Sequence, residues 1–322
     1  MTRRTAILGA AAATAGLASK RSRAAGTRQL TLAQHGRSNY SILLDSDCTE
    51  PMRHGALEIQ DYLRRISGAR LPVLPAETSQ PRDPESVIHI RQPQAGDSEA
   101  PLGAEEYHLF TAGSRIHIVG NGVRGALYGC YGFLQDALGC RWFTKDVAKI
   151  PRHRTILLDP LDVRQAPALE YREPYYAESF DRDWAVRNRV NGNSQHLDAS
   201  VGGRVRYGRF VHTFNQLVPP DKYFDKHPEY FSEINGKRMK GYFQLCLTNP
   251  DVLAISIARV KSWIKENPDA TIFSVSQNDT YYNCQCPSCK AVEQEEGAPS
   301  GVLLRFVNAV ADAIGKEYPH VL

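Results

Sequence analysis

Hydrophobic and polar positions alternate in two different rhythms along the chain. In the first part, short β-patterned runs at Leu71–Leu74, Val87–Ile90, Tyr107–Thr111 and Arg115–Val119 predict strands, and residues 27–45 predict one or two more. Pro51 to Ile66 predicts a helix. Thr49 or Glu50 opens it, Pro51 suits its first turn, and Ser67-Gly68 closes it. Ala56, Ile59, Tyr62, Leu63 and Ile66 fall on one face of that helix. A second helix is expected from Val123 to Leu138, stopping at Gly139, followed by strands at Arg141–Thr144 and Thr155–Leu158. The polar, proline-rich stretches 75–85 and 91–105 read as loops.

From about Pro167 strands and helices alternate. Strands are expected at Leu169–Tyr176, Arg209–His212, Gln244–Leu247 and Thr271–Ser276, with helices at Asp181–Val190, 250–267 and Ser300–Tyr318. Asn249-Pro250-Asp251 supplies cap, first-turn proline and acidic residue for the middle helix. The reading is α/β: an α+β unit followed by about four βα units of a parallel (β/α)8 TIM-type barrel.

The N-terminus stands apart. Arg3-Arg4, an apolar run from Ala6 to Ala18, the basic Lys20-Arg21-Ser22-Arg23 and Ala24-Ala25 read as a twin-arginine export signal over residues 1–25. The expected location is therefore periplasmic or secreted. The signal's five positive charges exceed the formal +4 of the whole chain, so the remainder is close to neutral and offers no electrostatic support for nucleic-acid binding. No segment reads as a membrane span.

Gly120-Asn-Gly122-Val-Arg-Gly125 satisfies the dinucleotide pattern on paper, with Asp146 as the acid some 20 residues on. It follows several strands instead of opening the fold, and its helix is aromatic, with Tyr128, Tyr131 and Phe133. A tight strand-to-helix turn accounts for the glycines.

The same stretch carries a resemblance. Glu106-Tyr-His-Leu, then Arg115 to Gly125, then Leu138-Gly-Cys-Arg-Trp142-Phe resemble the N-terminal domain that precedes the barrel in alpha-glucuronidases and beta-hexosaminidases. Trp184 to Gly192, His227 to Phe231, Gly236-Lys-Arg238, Gln244 to Pro250 and Ser274 to Asp279 resemble a bacterial glycoside-hydrolase-like family of unknown function. The resemblance implies a signal at 1–25, the glucuronidase-type domain at 26–162 and the first half of a barrel at 163–322. It implies a glycosidase acting on O-glycosidic bonds, with a non-catalytic polysaccharide-binding protein or a degenerate remnant as the alternative. It also implies a chain truncated after its fourth unit, with a complementary chain as the source of the missing strands and a carbohydrate as the other partner.

The candidate chemistry follows from strand ends. In the resembling glycosidases the general acid ends the fourth barrel strand, which nominates Asp279; capping of the loop is its structural alternative. Asn278 is then a hydrogen-bond partner for sugar. His212 contacts a sugar hydroxyl or is satisfied by backbone. Arg172 and Glu173 bind a uronic carboxylate or pair structurally, and Asn191 is a further candidate for substrate binding. Tyr175, Tyr176, Trp184, Tyr281 and Tyr282 form a stacking platform or pack. No cofactor is required. Cys284, Cys286 and Cys289, with Cys246 as a fourth, are either a structural zinc site or a disulfide pair with an extra thiol. Cys48, Cys130 and Cys140 are assigned to the first unit's core.

Overall fold

A computed structural model describes residues 29–77, 81, 83–97 and 101–322. The export-signal reading lies outside the described residues. Among them no helix is long and apolar enough to cross a membrane.

The first region is built on one sheet. Its chain order is β1 (Leu30–Ala33), β2 (Ser41–Leu44), α1 (Glu50–Ser67), β3 (Val73–Pro75), β4 (Val87–Arg91), β5 (Tyr107–Ala112), β6 (Arg115–Gly120), α2 (Gly125–Gly132), β7 (Arg141–Trp142), β8 (Ala148–Lys149), β9 (Ile156–Leu158) and β10 (Asp162–Gln165). Six strands form a mixed sheet in the order β10-β5-β6-β4-β2-β3. β3, β2, β4 and β6 run parallel, and β5 and β10 are antiparallel to their neighbours. β1 pairs with β9 and β7 with β8 as short ribbons.

The expected helix signals are in place. Thr49 accepts from the Met52 N–H, and Gly68 ends α1 at φ 89°. Ala56, Ile59, Tyr62, Leu63 and Ile66 are all buried, so the apolar face of α1 covers the sheet. α2 is apolar all round and every residue in it is buried. The glycine motif before it is steric in origin. A Cβ on Gly125 would lie 2.7 Å from the Glu106 carbonyl oxygen, and Gly122 sits at φ 68°. Arg124, in the same turn, is tied to Glu105 and to the Gly202 carbonyl, so the turn is closed by protein contacts.

The second region follows α3 (Arg182–Arg187), which is capped by Asp181. Trp184, Ala185, Val186, Val190, Leu197 and Val201 still pack in the sheet's apolar core. Then come β11 (Tyr207–Arg209), α4 (Phe214–Leu217), α5 (Pro220–Tyr223), β12 (Glu233–Ile234), β13 (Lys237–Arg238), α6 (Pro250–Glu266), β14 (Ile272–Phe273), α7 (Pro287–Glu296) and α8 (Pro299–Gly315). β11 and β14 are parallel and adjacent. Leu322 continues the ladder on the far side of β14: it donates to the Thr271 carbonyl at 2.8 Å and accepts from the Phe273 N–H at 3.0 Å. α6 and α8 pack together, with Trp263, Val260, Phe306, Val310 and Ile314 around Phe273.

Three expectations are corrected here. Leu169–Tyr176 forms no strand. Pro174 removes a ladder donor, and the Arg172 guanidinium takes the Leu169 and Glu170 carbonyls that a neighbouring strand would need. Gln244–Leu247 is not a barrel strand either. It makes one antiparallel bridge, Leu245 to Phe231, within an excursion that leaves after β11 and returns through α6. Asp279 therefore follows the strand next to β11, and the four-unit count is not met among the described residues. Finally, Pro287–Glu296, for which the pattern predicts no element, forms α7.

Candidate functional site

Parallel strands bring chemistry together at their carboxyl ends. Beyond Arg209 and Phe273 the two chain segments stay bonded to each other. Ser274 N–H donates to the Arg209 carbonyl at 3.1 Å, and Thr213 N–H to the Ser276 carbonyl at 3.0 Å. The Thr213 hydroxyl donates to the Ser274 carbonyl at 2.9 Å and accepts from the Ser276 N–H at 3.0 Å. This carries the two strand ends, well past their regular pairing, to His212 and Asp279.

His212 adopts φ 60°, a left-handed conformation that costs energy for a residue with a Cβ. Its backbone N–H donates to Ser276 Oγ at 2.9 Å, and its Nδ1 lies 3.1 Å from the Gln277 carbonyl oxygen. A carbonyl can only accept, so Nδ1 carries the hydrogen. In the neutral ring Nε2 is then left with its lone pair.

Asn278 is fully buried. Its Nδ2 donates to Asn215 Oδ1 at 2.8 Å and to the Phe243 carbonyl at 2.6 Å. Its backbone is gripped by Gln244, whose Oε1 accepts from the Asn278 N–H at 3.0 Å. Gln244 Nε2 donates to the Asn278 and Thr280 carbonyls at 2.8 and 2.7 Å. Both Nδ2–H bonds of Asn278 go to protein, its buried Oδ1 has no hydrogen-bond partner, and its backbone positions the next residue. Asp279 is exposed, and its N–H donates to the Tyr242 hydroxyl at 3.1 Å. Tyr281 is 99 % exposed, and Tyr242 and Tyr282 are about half exposed. The Tyr282 ring packs on Phe243 with centroids 5.1 Å apart.

Arg172, Glu173 and Asn191 lie elsewhere. Arg172 bonds Glu105 at 2.6 Å, the Arg189 carbonyl at 2.7 Å and the Leu169 carbonyl at 2.6 Å, so its guanidinium is spent within the protein. Asn191 is buried, donating to Glu105 and the Glu170 carbonyl and accepting from the Arg172 N–H. Glu173 bonds the Tyr171 hydroxyl and the Ser194 N–H. All three residues lie at the joint between the sheet and the second region, where Arg172 pairs with Glu105 and not with Glu173. At its centre Glu105 is partly buried between Arg124 and Arg172. Burial alone would raise its pKa, but the two guanidinium groups outweigh burial and hold it below the usual glutamate range. Trp184 is buried under Tyr176, rings 5.5 Å apart, and so leaves the expected platform. Tyr175 is exposed beside Phe180, in the 175–180 stretch.

The cysteines complete the picture. All seven are free, with Cys130 and Cys140 buried in the first core. A Cβ on Gly55 would come within 2.7 Å of the Cys130 sulfur, which explains the glycine inside α1. Cys246, Cys284, Cys286 and Cys289 are all buried, with their four sulfurs within 4.8 Å of one another. This set could hold a metal ion. Without one, hydrogen bonds from Cys284 and Cys289 pull Cys246 strongly towards its thiolate, while donation to Cys246 pushes Cys284 up to about 11. A cavity of about 30 Å³ beside them, lined by Phe214, Gln244, Gln277 and Glu293 among others, has room for little more than a water. A recess of about 660 Å³, with Arg124, Arg204, Arg206 and Asp269, opens at the opposite, amino-terminal ends of the two strands.

Residue pattern alone missed Gln244, Asn215, Tyr242 and Glu105. Their importance comes from partners 34 to 86 positions away, and no local signal marks it.

The family described as "Domain of unknown function (DUF4838)" matches residues 142–322. No curated protein sequence matches the chain. Among solved structures it is similar to a GH115 4-O-methyl-alpha-glucuronidase, BtGH115A, with specificity for decorated arabinogalactans. The identity is 11 %, the TM-score 0.42, and the overlap covers 91 % of this chain and 42 % of that one. It is also similar to a GH20 beta-N-acetylhexosaminidase from Streptomyces coelicolor A3(2) (15 %, 0.43, 90 % and 62 %). A beta-N-acetylhexosaminidase from Bacteroides fragilis NCTC 9343 is similar to the same degree (11 %, 0.43, 91 % and 62 %). The chain thus spans less than two thirds of each of these structures. The likeness is distant, and the chemistry has to be read from the residues themselves.

Proposed function

The chain belongs to the DUF4838 family, and from that premise we propose that it is a carbohydrate-active protein that hydrolyses O-glycosidic bonds, with Asp279 as the acid. The observation that carries this reading is the setting of Asp279. It is an exposed carboxyl group at a strand's carboxyl end, on a backbone immobilised by the buried Asn278–Gln244 amide pair. A general acid needs both properties, since it must reach the substrate and yet be held still. The exposed rings of Tyr242, Tyr281 and Tyr282 supply flat apolar faces on which a sugar ring can stack.

In the proposed reaction the Asp279 carboxyl gives its proton to the glycosidic oxygen as the bond to the anomeric carbon breaks. His212 Nε2 accepts a hydrogen bond from a sugar hydroxyl. The second group comes from water activated elsewhere or from a substrate acetamido oxygen. Export through the Arg3-Arg4 leader belongs to the same reading and fits a polysaccharide substrate outside the cytoplasm. A non-catalytic, polysaccharide-binding role is the second reading. It is favoured by the exposed rings of Tyr242, Tyr281 and Tyr282, which offer a stacking surface for sugar whether or not a bond is cleaved.

The test is Asp279→Asn, assayed on a panel of aryl glycosides and plant or algal oligosaccharides, with calorimetric titration in parallel. The expected result is turnover lost by about 10²-fold or more, with melting and sugar binding kept. A variant as active as its parent would end the assignment. A parent that binds oligosaccharides and cleaves none would favour the second reading.

A further inference from the structure

We infer that Cys246, Cys284, Cys286 and Cys289 bind one zinc ion in a closed, structural tetrahedral site, and that this ion fastens the loop carrying Asp279. The inference is independent of the reaction proposed for that loop. Its first support is metric. Cys246 Sγ lies 3.7 Å from Cys286 Sγ and 3.9 Å from Cys289 Sγ. Four thiolates at the usual Zn–S distance of about 2.3 Å form a tetrahedron with edges of about 3.8 Å. A disulfide needs its sulfurs about 2.05 Å apart, and the four side chains converge on a common centre instead of meeting in pairs.

The second support is the surroundings. All four cysteines are buried, and none presents an open coordination position to solvent, as a catalytic zinc would require. Four thiolates around a divalent ion carry a net double negative charge, which buried sites offset with outer donors. Such donors are present. The Glu233 N–H lies 3.4 Å and the Arg238 guanidinium 3.7 Å from Cys284 Sγ, and the Thr248 hydroxyl lies 3.3 Å from Cys289 Sγ. Cys286 stands at the N-cap position of α7, whose first turn contains Cys289, so the positive end of a ten-residue helix lies beside the sulfurs.

The third support is topological. Cys246 leaves the Leu245–Phe231 bridge, Cys284 and Cys286 follow the Asp279 loop, and Cys289 starts α7. An ion here joins three segments that share little regular pairing. It holds residues 277–283 from one end while Gln244 holds them from the other.

The test uses the full chain, purified without chelator or immobilised nickel, with metal measured by mass spectrometry of the elements. One zinc per chain is expected, together with seven free thiols after denaturation with chelator. Cobalt substitution should give the intense visible bands of a tetrahedral thiolate site. Cys289→Ser should lower zinc below about one fifth of an equivalent, a near-complete loss of a four-ligand site, whereas Cys48→Ser should leave it unchanged. Metal-free protein whose mass is lower by two hydrogens per disulfide would overturn the inference. So would iron in place of zinc, or full zinc binding by Cys289→Ser. If Cys289→Ser does not fold, the wild-type stoichiometry and the cobalt spectrum still decide.

Discussion

The two regions of this molecule solve the same problem with different materials. Residues 30–201 close an apolar core around a six-stranded sheet, with α1 and α2 laid against it. Residues 207–322 have two short parallel strands, and their core rests chiefly on α6 and α8. What the second region lacks in ladder it makes up in specific polar contacts: the Thr213–Ser276 bonds, the Asn278–Gln244 pair and the four cysteines. A sheet averages over many weak contacts and tolerates the loss of one. A region held by a few buried polar groups does not, because each lost partner leaves another group unpaired.

That difference can be put under strain. The largest effect should come from Gln244→Ala, which leaves the buried Asn278 N–H and the Thr280 carbonyl without partners, while the Asn278 carbonyl keeps its bond from the Thr280 N–H. A loss on the order of 2–4 kcal/mol is expected, and hydrogen exchange should show it in residues 209–215 and 272–284 and not in the sheet. Exchange spread evenly over both regions would break the contrast. A smaller effect belongs to the joint. Glu105 has a depressed pKa when folded, so its ionised form stabilises the protein above the ordinary glutamate value of about 4.3. That contribution is lost as pH falls through the lower, folded value. Glu105→Gln should therefore lower the melting temperature at pH 7, and the gap from wild type should narrow by pH 3. The smallest effect is local to the first region. Thr49→Ala removes the α1 cap and should cost about 1 kcal/mol, with zinc content and the Asp279 loop unaltered.

The legible parts of the sequence were those whose causes are local. Thr49, Pro51 and Gly68 bound α1, and Asn249 and Pro250 open α6, because caps act over three or four residues. The glycine turn at Gly120–Gly125 was readable as sterics for the same reason. The cysteine cluster was half legible: spacing put three cysteines together, while Cys246 joined them only as a candidate. The errors came where a short apolar run has no local arbiter. Leu245-Cys-Leu247 has the pattern of a buried strand, and Leu245 and Cys246 are buried, yet its partner is Phe231 and not a barrel neighbour. Arg172 and Asn191 looked free for a ligand because Glu105, which takes both, sits in a polar loop 67 and 86 residues away.

What the sequence determined by itself is where helices start and stop, which helix faces are apolar, and that a carboxylate follows a β-branched run at Thr271–Ser276. Only the tertiary structure decided that β14 lies directly beside β11, that Asn278 turns inward while Asp279 turns outward, and that four cysteines meet at one point. The reason is that a cap or a period is an interaction between near neighbours. Strand adjacency and buried polar pairing, by contrast, are choices among many distant partners, settled only when the whole core excludes water.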